Sequence, residues 1–265
     1  MNLIRSVYGI LPSPTGWRLL ERQMYKLDEI INKVIQGDCI EVMRNIPDKS
    51  IDLILTDPPY GINFCSPWTN RKERLQNDKL DDWKEMLPKM LAEFKRILTD
   101  TGCCCCCCGG GKTPVTALFT IEAIKHFYLI QTLVWRKFLG LGWRYRPAYE
   151  NIVILSKSKD DYAFYDETKK CGNVIEGINQ DIPSYNGDKA GGIDEHPTQK
   201  PIELMNHLIK IHSKPNDLII DPFLGQGTTA LSAKQLGRRW IGIEISPHYC
   251  AIARKRLDFT EKPLF

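Results

Sequence analysis

Residues 218–245 read LIIDPFLGQGTTALSAKQLGRRWIGIEI. This stretch decides the fold. Residues 217–221 form a short apolar run of the kind that is buried on both faces of a parallel sheet. Gly225 and Gly227 then make a turn, residues 228–236 read as a helix closed by Gly237, and residues 239–245 are again an apolar strand. Strand, glycine turn, helix and strand together are the unit from which open α/β sheets are built. Within the unit, Gly225-Gln226-Gly227-Thr228-Thr229-Ala230 satisfies G-x-G-x-x-[G/A]. Its glycines let a ligand approach the backbone at the amino end of a helix. Glu244 follows Gly225 by 19 positions, at the end of the next strand, where an acidic side chain takes ribose hydroxyls. The pattern predicts a nucleoside-containing cofactor and leaves its identity open, since NAD and S-adenosylmethionine both fit.

The same grammar extends outward. Residues 34–35 lead into the turn Gly37-Asp38-Cys39, and residues 51–55 (IDLIL) form a buried strand running straight into Asp57-Pro58-Pro59-Tyr60. Residues 61–80 are polar and basic and read as a loop. Residues 81–98 carry Trp83, Met86, Leu87, Met90, Leu91, Phe94 and Leu98 at three/four spacing, an amphipathic helix in which Pro88 implies a kink. Residues 128–135 and 151–155 are strand-like, residues 157–195 are a polar insertion, Pro201 opens a helix through Ile211, and residues 247–257 are a final helix. Residues 1–23, with Pro12, Pro14 and Gly16, read as a loosely ordered extension before a catalytic domain spanning 24–265. Gly109-Gly110-Gly111-Lys112-Thr113 is not a phosphate-binding loop, because G-x-x-x-x-G-K-[ST] needs glycine at position 106, which is Cys106.

The chain has 265 residues, 43% apolar and 26% charged, with a formal charge of +4, which bounds it to one large α/β domain with an ample core and excludes wholesale disorder. No apolar run approaches the roughly 20 residues of a membrane span, and the amino terminus does not read as a signal peptide. Six of the ten cysteines are consecutive, Cys103 to Cys108, and cannot supply C-x-x-C metal spacing. Cys39, Cys65, Cys171 and Cys250 are scattered, the pattern of a reduced, cytoplasmic protein. None of the five histidines makes an H-E-x-x-H set, so no metal is expected.

The corner at Asp57 carries the second constellation. It follows a buried strand, so it lies at the carboxyl edge of the sheet, where ligands bind. Pro58 and Pro59 fix two φ angles and remove two backbone donors. What remains is a rigid, acceptor-rich corner suited to a planar group bearing NH₂. Asp57 and the Pro58 carbonyl each accept one N–H, and Tyr60 stacks on the ring. An aromatic amine donates its lone pair into the ring and is a poor nucleophile. Two such hydrogen bonds favour a more pyramidal nitrogen whose lone pair is released for direct attack.

With these motifs the chain resembles the permuted amino-group DNA methyltransferases, which act on adenine N6 or cytosine N4 and carry the catalytic motif before the cofactor motif. The matching text is IQGDC (35–39), TDPPYGI (56–62), YENIVILSK (149–157), HPTQKPIELM (196–205), DPFLGQGTT (221–229) and GIEISPHYCAIARKRL (242–257). The resemblance implies a Rossmann-like fold, with a mostly parallel seven-stranded sheet and helices on both faces. It also implies a buried strand after the 81–98 helix, where the cysteine run would act as small apolar residues. Asp221, Phe223, Gly225, Gly227, Thr228 and Thr229 would line an S-adenosylmethionine site, with Glu244 on its ribose, Asp38 and Cys39 at its adenine and Lys200 at its carboxylate. The catalytic set would be Asp57, Pro58, Pro59 and Tyr60, acting on an adenine flipped out of double-stranded DNA. The lean to adenine rests on Asp57, since the cytosine enzymes more often carry Ser there. Phosphate contacts would come from Arg71, Lys72 and Arg74 and from Arg144 and Arg146, with 157–195 as the target-recognition insertion. Partners implied are the DNA, a restriction endonuclease of the same system and a second copy of the chain. An NAD-dependent oxidoreductase using the same glycine turn would leave DPPY and HPTQKP unexplained.

Overall fold

The computed structural model describes residues 10–11, 18–19, 24–59, 80–109, 114–137, 148–166, 168, 170–178 and 199–259. Two short strands, β1 (Ile10–Leu11) and β2 (Arg18–Leu19), pair antiparallel. The remaining strands form one sheet: β3 (Lys33–Gln36), β4 (Ile51–Thr56), β5 (Leu98–Cys108), β6 (Tyr128–Arg136), β7 (Tyr149–Ser156), β8 (Val174–Ile175), β9 (Leu218–Asp221) and β10 (Arg239–Glu244). Their spatial order is β3-β10-β9-β4-β5-β7-β6-β8, and β7 is antiparallel to both its neighbours while the other pairings are parallel.

Helices cover both faces. On one lie α1 (Leu27–Ile30), α2 (Cys39–Arg44), α3 (Leu80–Ile97) and α4 (Val115–Ala123), whose apolar residues join a core with Ile51, Ile54, Ile220 and Ile243. On the other lie α5 (Ile202–His212), α6 (Thr228–Gln235) and α7 (Pro247–Phe259), packed on Leu53, Leu55, Ile152 and Ile219. β4 feeds both cores, which explains its unbroken apolar sequence. α3 buries Trp83, Leu87, Met90, Leu91, Phe94 and Ile97 on one stripe. It stays helical through Pro88; the Lys84 carbonyl that loses its partner belongs to an exposed residue, where water satisfies it.

The cysteine run is the central part of β5. Cys103–Cys106 lie in parallel register with Leu53–Thr56, and Cys103–Cys108 pair antiparallel with Ser156–Asn151. Side chains alternate across the sheet: Cys104, Cys106 and Cys108 enter the first core, and Cys103, Cys105 and Cys107 the second. All six are buried free thiols, and burial pushes each of them upward, so they behave as small hydrophobes.

The sheet has eight strands rather than the seven expected. The extra strand is β8, two residues inside the polar 157–195 insertion that pair with Val134 and Trp135. Two residues are too few to show a period. The helix α2 was also absent from the sequence reading, although Asp38 followed three residues later by Glu41 is a capping signature. Asp38 Oδ1 accepts from the Ile40 and Glu41 amides at 3.0 and 3.1 Å. Among the described residues no helix is long and apolar enough to cross a membrane.

β4 and β9 are joined at their carboxyl ends by Thr56 Oγ1, which donates to Asp221 Oδ1 at 2.7 Å. Asp221 is buried, and burial pushes its carboxyl up to about 6, against the downward pull of bonds from Thr229, Thr56 and the Phe223 amide.

Two measurements check this architecture. In denaturant, Ellman's reagent is expected to titrate ten thiols, whereas in the native protein the eight buried ones, Cys39, Cys103–Cys108 and Cys250, react slowly. A denatured count near four would show that β5 is not built of cysteine. For Asp221, a folded value raised to about 6 means that the native state holds the proton longer than the unfolded chain, so stability falls as pH rises from about 4 to about 6. Asp221→Asn keeps the Oδ1 acceptor and removes the charge. Its unfolding free energy, relative to the parent, should therefore improve by about 2–3 kcal/mol across that window. Parallel pH profiles of the two proteins would contradict this.

Candidate active site

The glycine turn between β9 and α6 is shaped by backbone conformation. Gly225 has φ +54 and Gly227 has φ +86, both in the left-handed region. At Gly225 an added Cβ would meet nothing within 4 Å, so this glycine provides conformation and an open approach to the backbone. At Gly227 it would lie 3.3 Å from Ala253 Cβ, so here the absent side chain also lets α7 pack close. Glu244 pins the turn to β10: Oε2 accepts from the Gly225 amide at 2.9 Å and Oε1 from the Ser246 amide at 2.8 Å. A carboxylate has about four acceptor positions, so capacity remains for a hydroxyl. Burial raises the Glu244 carboxyl, while its backbone bonds pull it down.

Glu244 shares a cleft of about 390 Å³, counted to its open mouth, with Gly37, Asp38, Cys39, Pro59 and Phe223. Five of the residues chosen from sequence, namely Asp38, Cys39, Pro59, Phe223 and Glu244, thus meet in one place although they come from three separate parts of the chain. Asp38 serves there as the α2 cap through Oδ1. The Cys39 thiol is pushed up to about 12 by burial and by Asp38, so it contributes a wall and no thiolate. Thr228 and Thr229 are buried at the start of α6; Thr229 Oγ1 donates to Met205 Sδ at 3.7 Å, and Thr228 Oγ1 accepts from Arg256 Nη1 at 3.2 Å. A carboxylate paired with a glycine turn at a helix amino end matches the donor set of an adenosine-bearing cofactor.

The Asp57-Pro58-Pro59 corner begins one residue after Thr56. Pro58 is buried, Asp57 and Pro59 half-buried. Lys200, expected from the resemblance at a cofactor carboxylate, has its ammonium 2.5 Å from Asp57 Oδ2 and 3.3 Å from Glu150 Oε2. Glu150 Oε1 in turn lies 2.5 Å from Lys137 Nζ. Two carboxylates in a corner poor in water draw the ammonium to them: burial alone would lower Lys200, but Asp57 and Glu150 outweigh it and hold it protonated. Burial likewise acts to raise Glu150, and the Lys200 and Lys137 charges overcome it and hold the carboxyl low. Glu150 and Lys137 were not singled out from sequence. The signal was a glutamate at the head of the otherwise apolar YENIVILS strand.

Gln199, the residue before Lys200, faces the cofactor turn. With its amide turned to satisfy both neighbours it donates to Gln226 Oε1 at 3.1 Å and accepts from Arg256 Nη2 at 2.9 Å. One dipeptide therefore touches the cofactor turn and the catalytic corner. Tyr60, Arg71, Lys72, Arg74, Arg144 and Arg146 lie outside the described residues. A larger cavity, about 990 Å³ on the same measure, opens at the amino ends of the strands near Asn32, Lys33 and Trp240. Three of its cations are engaged with carbonyls: Lys234 with Leu257, Arg254 with Val34 and Arg238 with Ser213. It lies at the opposite edge of the sheet from the two turns.

The DNA methylase family of the N6/N4 type matches residues 51–255. The type II methyltransferase M.HinfI of Haemophilus influenzae is 34% identical over 257 residues, covering 87% of this chain and 69% of that protein. Among solved structures, the M1.HpyAVI–SAM complex is similar at 25% identity with a TM-score of 0.62, covering 85% of this chain and 98% of that one. The cytosine-N4-specific PvuII DNA methyltransferase shares the fold, with a TM-score of 0.66, 22% identity and coverage of 84% and 85%. With the family match spanning both the DPPY corner and the glycine turn, the chain belongs to the N6/N4 family of DNA methyltransferases.

Proposed function

We propose that this protein transfers a methyl group from S-adenosylmethionine to the N6 amino group of an adenine flipped out of double-stranded DNA. The observation that carries the reading is the adjacency of the Asp57-Pro58-Pro59 corner to the glycine turn, through neighbouring strands tied by Thr56 and Asp221. Pro59, Phe223 and Glu244 line one cleft, so a group bound against the turn ends beside the corner. Bound there, S-adenosylmethionine supplies an electrophilic methyl on a sulfonium. The residues proposed to hold it are Phe223, Gly225, Gly227, Thr228 and Thr229, with Glu244 on the ribose hydroxyls and Asp38 and Cys39 at the adenine ring.

The chain's own work is to orient and activate the amine. Asp57 and the Pro58 carbonyl accept its two N–H groups, and Tyr60 stacks on the base. The nitrogen lone pair is then available for a new N–C bond, for which the sulfonium–methyl bond would break and its electron pair would stay on sulfur as a neutral thioether. The nitrogen must shed one proton, and the Asp57 carboxylate is the adjacent acceptor. Positioning of this kind supplies much of the rate of a bimolecular reaction. Arg71, Lys72, Arg74, Arg144 and Arg146 are proposed to hold phosphates, and 157–195 to read the target. A restriction endonuclease of the same system and a second copy of the chain are proposed further partners. Asp57 supports adenine over cytosine. The shared fold with a cytosine-N4-specific enzyme supports cytosine N4 as the second reading.

Incubation with labelled S-adenosylmethionine and DNA, followed by nucleoside analysis, should return N6-methyl-2′-deoxyadenosine; N4-methyl-2′-deoxycytidine would select the second reading, and no label in DNA would reject both. Asp57→Ala should keep cofactor affinity and lose turnover by about 10²–10³, as removal of an oriented polar group at a reacting centre does. A variant turning over normally would refute the role. Glu244→Gln removes a charged acceptor, so calorimetric titration should show cofactor affinity weakened by about tenfold or more. Unchanged affinity would take Glu244 off the ribose.

A further inference from the structure

Three aspartates sit where strands of this sheet give way to turns, and two of them are steered by nearby amides. Asp38 accepts from Ile40 N at 3.0 Å and Asp221 from Phe223 N at 3.0 Å, each two residues onward. Such local bonds are the ordinary way a turn aspartate is fixed. At Asp57 the residue two positions onward has no amide hydrogen to give. The next two residues are Pro58 and Pro59, neither of which carries an N–H. The prolines that make the corner rich in acceptors withhold the two nearest amides, and a group from elsewhere in the fold reaches the carboxylate.

That group is Lys200, only 8% exposed, with its ammonium 2.5 Å from Asp57 Oδ2. Holding Oδ2 turns Oδ1 to the remaining side of the corner. A cation this close also draws charge from the carboxylate and weakens it as an acceptor. Glu150 offsets the effect by taking a share of the same ammonium at 3.3 Å, and Lys137 compensates Glu150 in turn. Four side chains from four segments thus form a row of alternating sign that starts at Lys137 and ends at Asp57.

We propose that Lys200 and Glu150 are positioning residues for Asp57, Lys200 fixing one carboxylate oxygen so that the other meets the target amine, and Glu150 preserving the charge on that acceptor. The inference deepens the methyl-transfer reading and rests on it. The charged and titratable groups facing Asp57 among the described residues are few. Lys200 approaches from the segment before α5, with Glu150 of β7 and Lys137 after β6 behind it. Asp221 at the end of β9 repels it, and Cys106, Cys107 and Cys108 on β5 are buried thiols held neutral. Removing the Lys200 cation takes away the positive charge lying against Asp57 Oδ2, which favours the protonated form of Asp57.

The test uses the purified full chain, with steady-state methylation of DNA across pH and a separate titration of S-adenosylmethionine. Lys200→Met should lower kcat by about a hundredfold. It should also move the acid limb of kcat upward by about one pH unit or more, leaving cofactor affinity unchanged. Lys200→Arg should return the limb toward the parent position. Glu150→Gln, nearly isosteric, should lower kcat without an upward shift of the limb. An unshifted limb in Lys200→Met would overturn the inference, and weaker cofactor binding with that unshifted limb would give the lysine to the cofactor carboxylate instead. Normal kcat in Glu150→Gln would remove Glu150 from the mechanism. If the parent chain itself transfers no methyl to DNA, the underlying reading fails, an outcome visible before any variant is compared.

Discussion

The pairing of β4 with β9 is the constraint on which the rest of the site depends. The two strands are far apart in the chain, yet they are neighbours in the sheet, and Thr56 and Asp221 bond across their carboxyl ends at 2.7 Å. From β9 the chain crosses by α6 on one face to β10; from β4 it crosses by α3 on the other face to β5. Connections leaving in opposite directions open a crevice between the two strands, and in open α/β sheets that is where ligands bind. Asp57 and the glycine turn are the first residues beyond the two strand ends. Neither constellation would meet the other if β4 and β9 were separated by one more strand.

Burial of this junction has an electrostatic consequence. Asp221 and Asp57 are carboxylates on adjacent strands in a region with little water, and each raises the cost of ionising the other. Asp221 is answered by hydrogen bonds from Thr56, the Phe223 amide and Thr229. Asp57, followed by two prolines, is met by a cation. The same requirement, one compensating group per buried acid, is met by different chemistry on the two sides of the crevice because one turn contains prolines and the other does not.

Much of this was legible in the sequence because the relevant signals are local. Residues 218–245 announced strand, turn, helix and strand; the glycines and Glu244 have fixed spacing along one short unit. The run at 51–55 announced a two-sided buried strand, and its abrupt end at Asp57-Pro58 located the corner. The cysteine run carried no periodicity, but the family resemblance implied a strand there, and alternation across the sheet follows from the pleat once β5 lies between β4 and β7. What escaped was either too short or too distant. β8 has two residues and α2 six, below the length at which a hydrophobic period can be read. The engagement of Lys200 with Asp57 spans 143 positions, and no local pattern specifies it. Spacing along the chain could nominate Lys200 as a functional cation; only the packing of its segment over β5 and β7 determined which anion it would serve.

The row Lys137, Glu150, Lys200, Asp57 is hard to account for as a stabilising device. Each buried ion gives up hydration worth several kcal/mol, and mutual attraction repays this only in part. Apolar side chains of similar volume would serve the fold equally well, or better by about 1–4 kcal/mol. The row instead solves a problem created by the corner itself. A carboxylate that must accept a hydrogen bond from a neutral amine has to stay ionised, yet keep enough of its charge to be a good acceptor. One cation alone secures the first condition and works against the second. A cation shared with a second carboxylate satisfies both, and that second carboxylate, buried in its turn, then requires the outer lysine. The row follows from how deeply the first acid is set into the fold, and the outer lysine, Lys137, comes directly after β6.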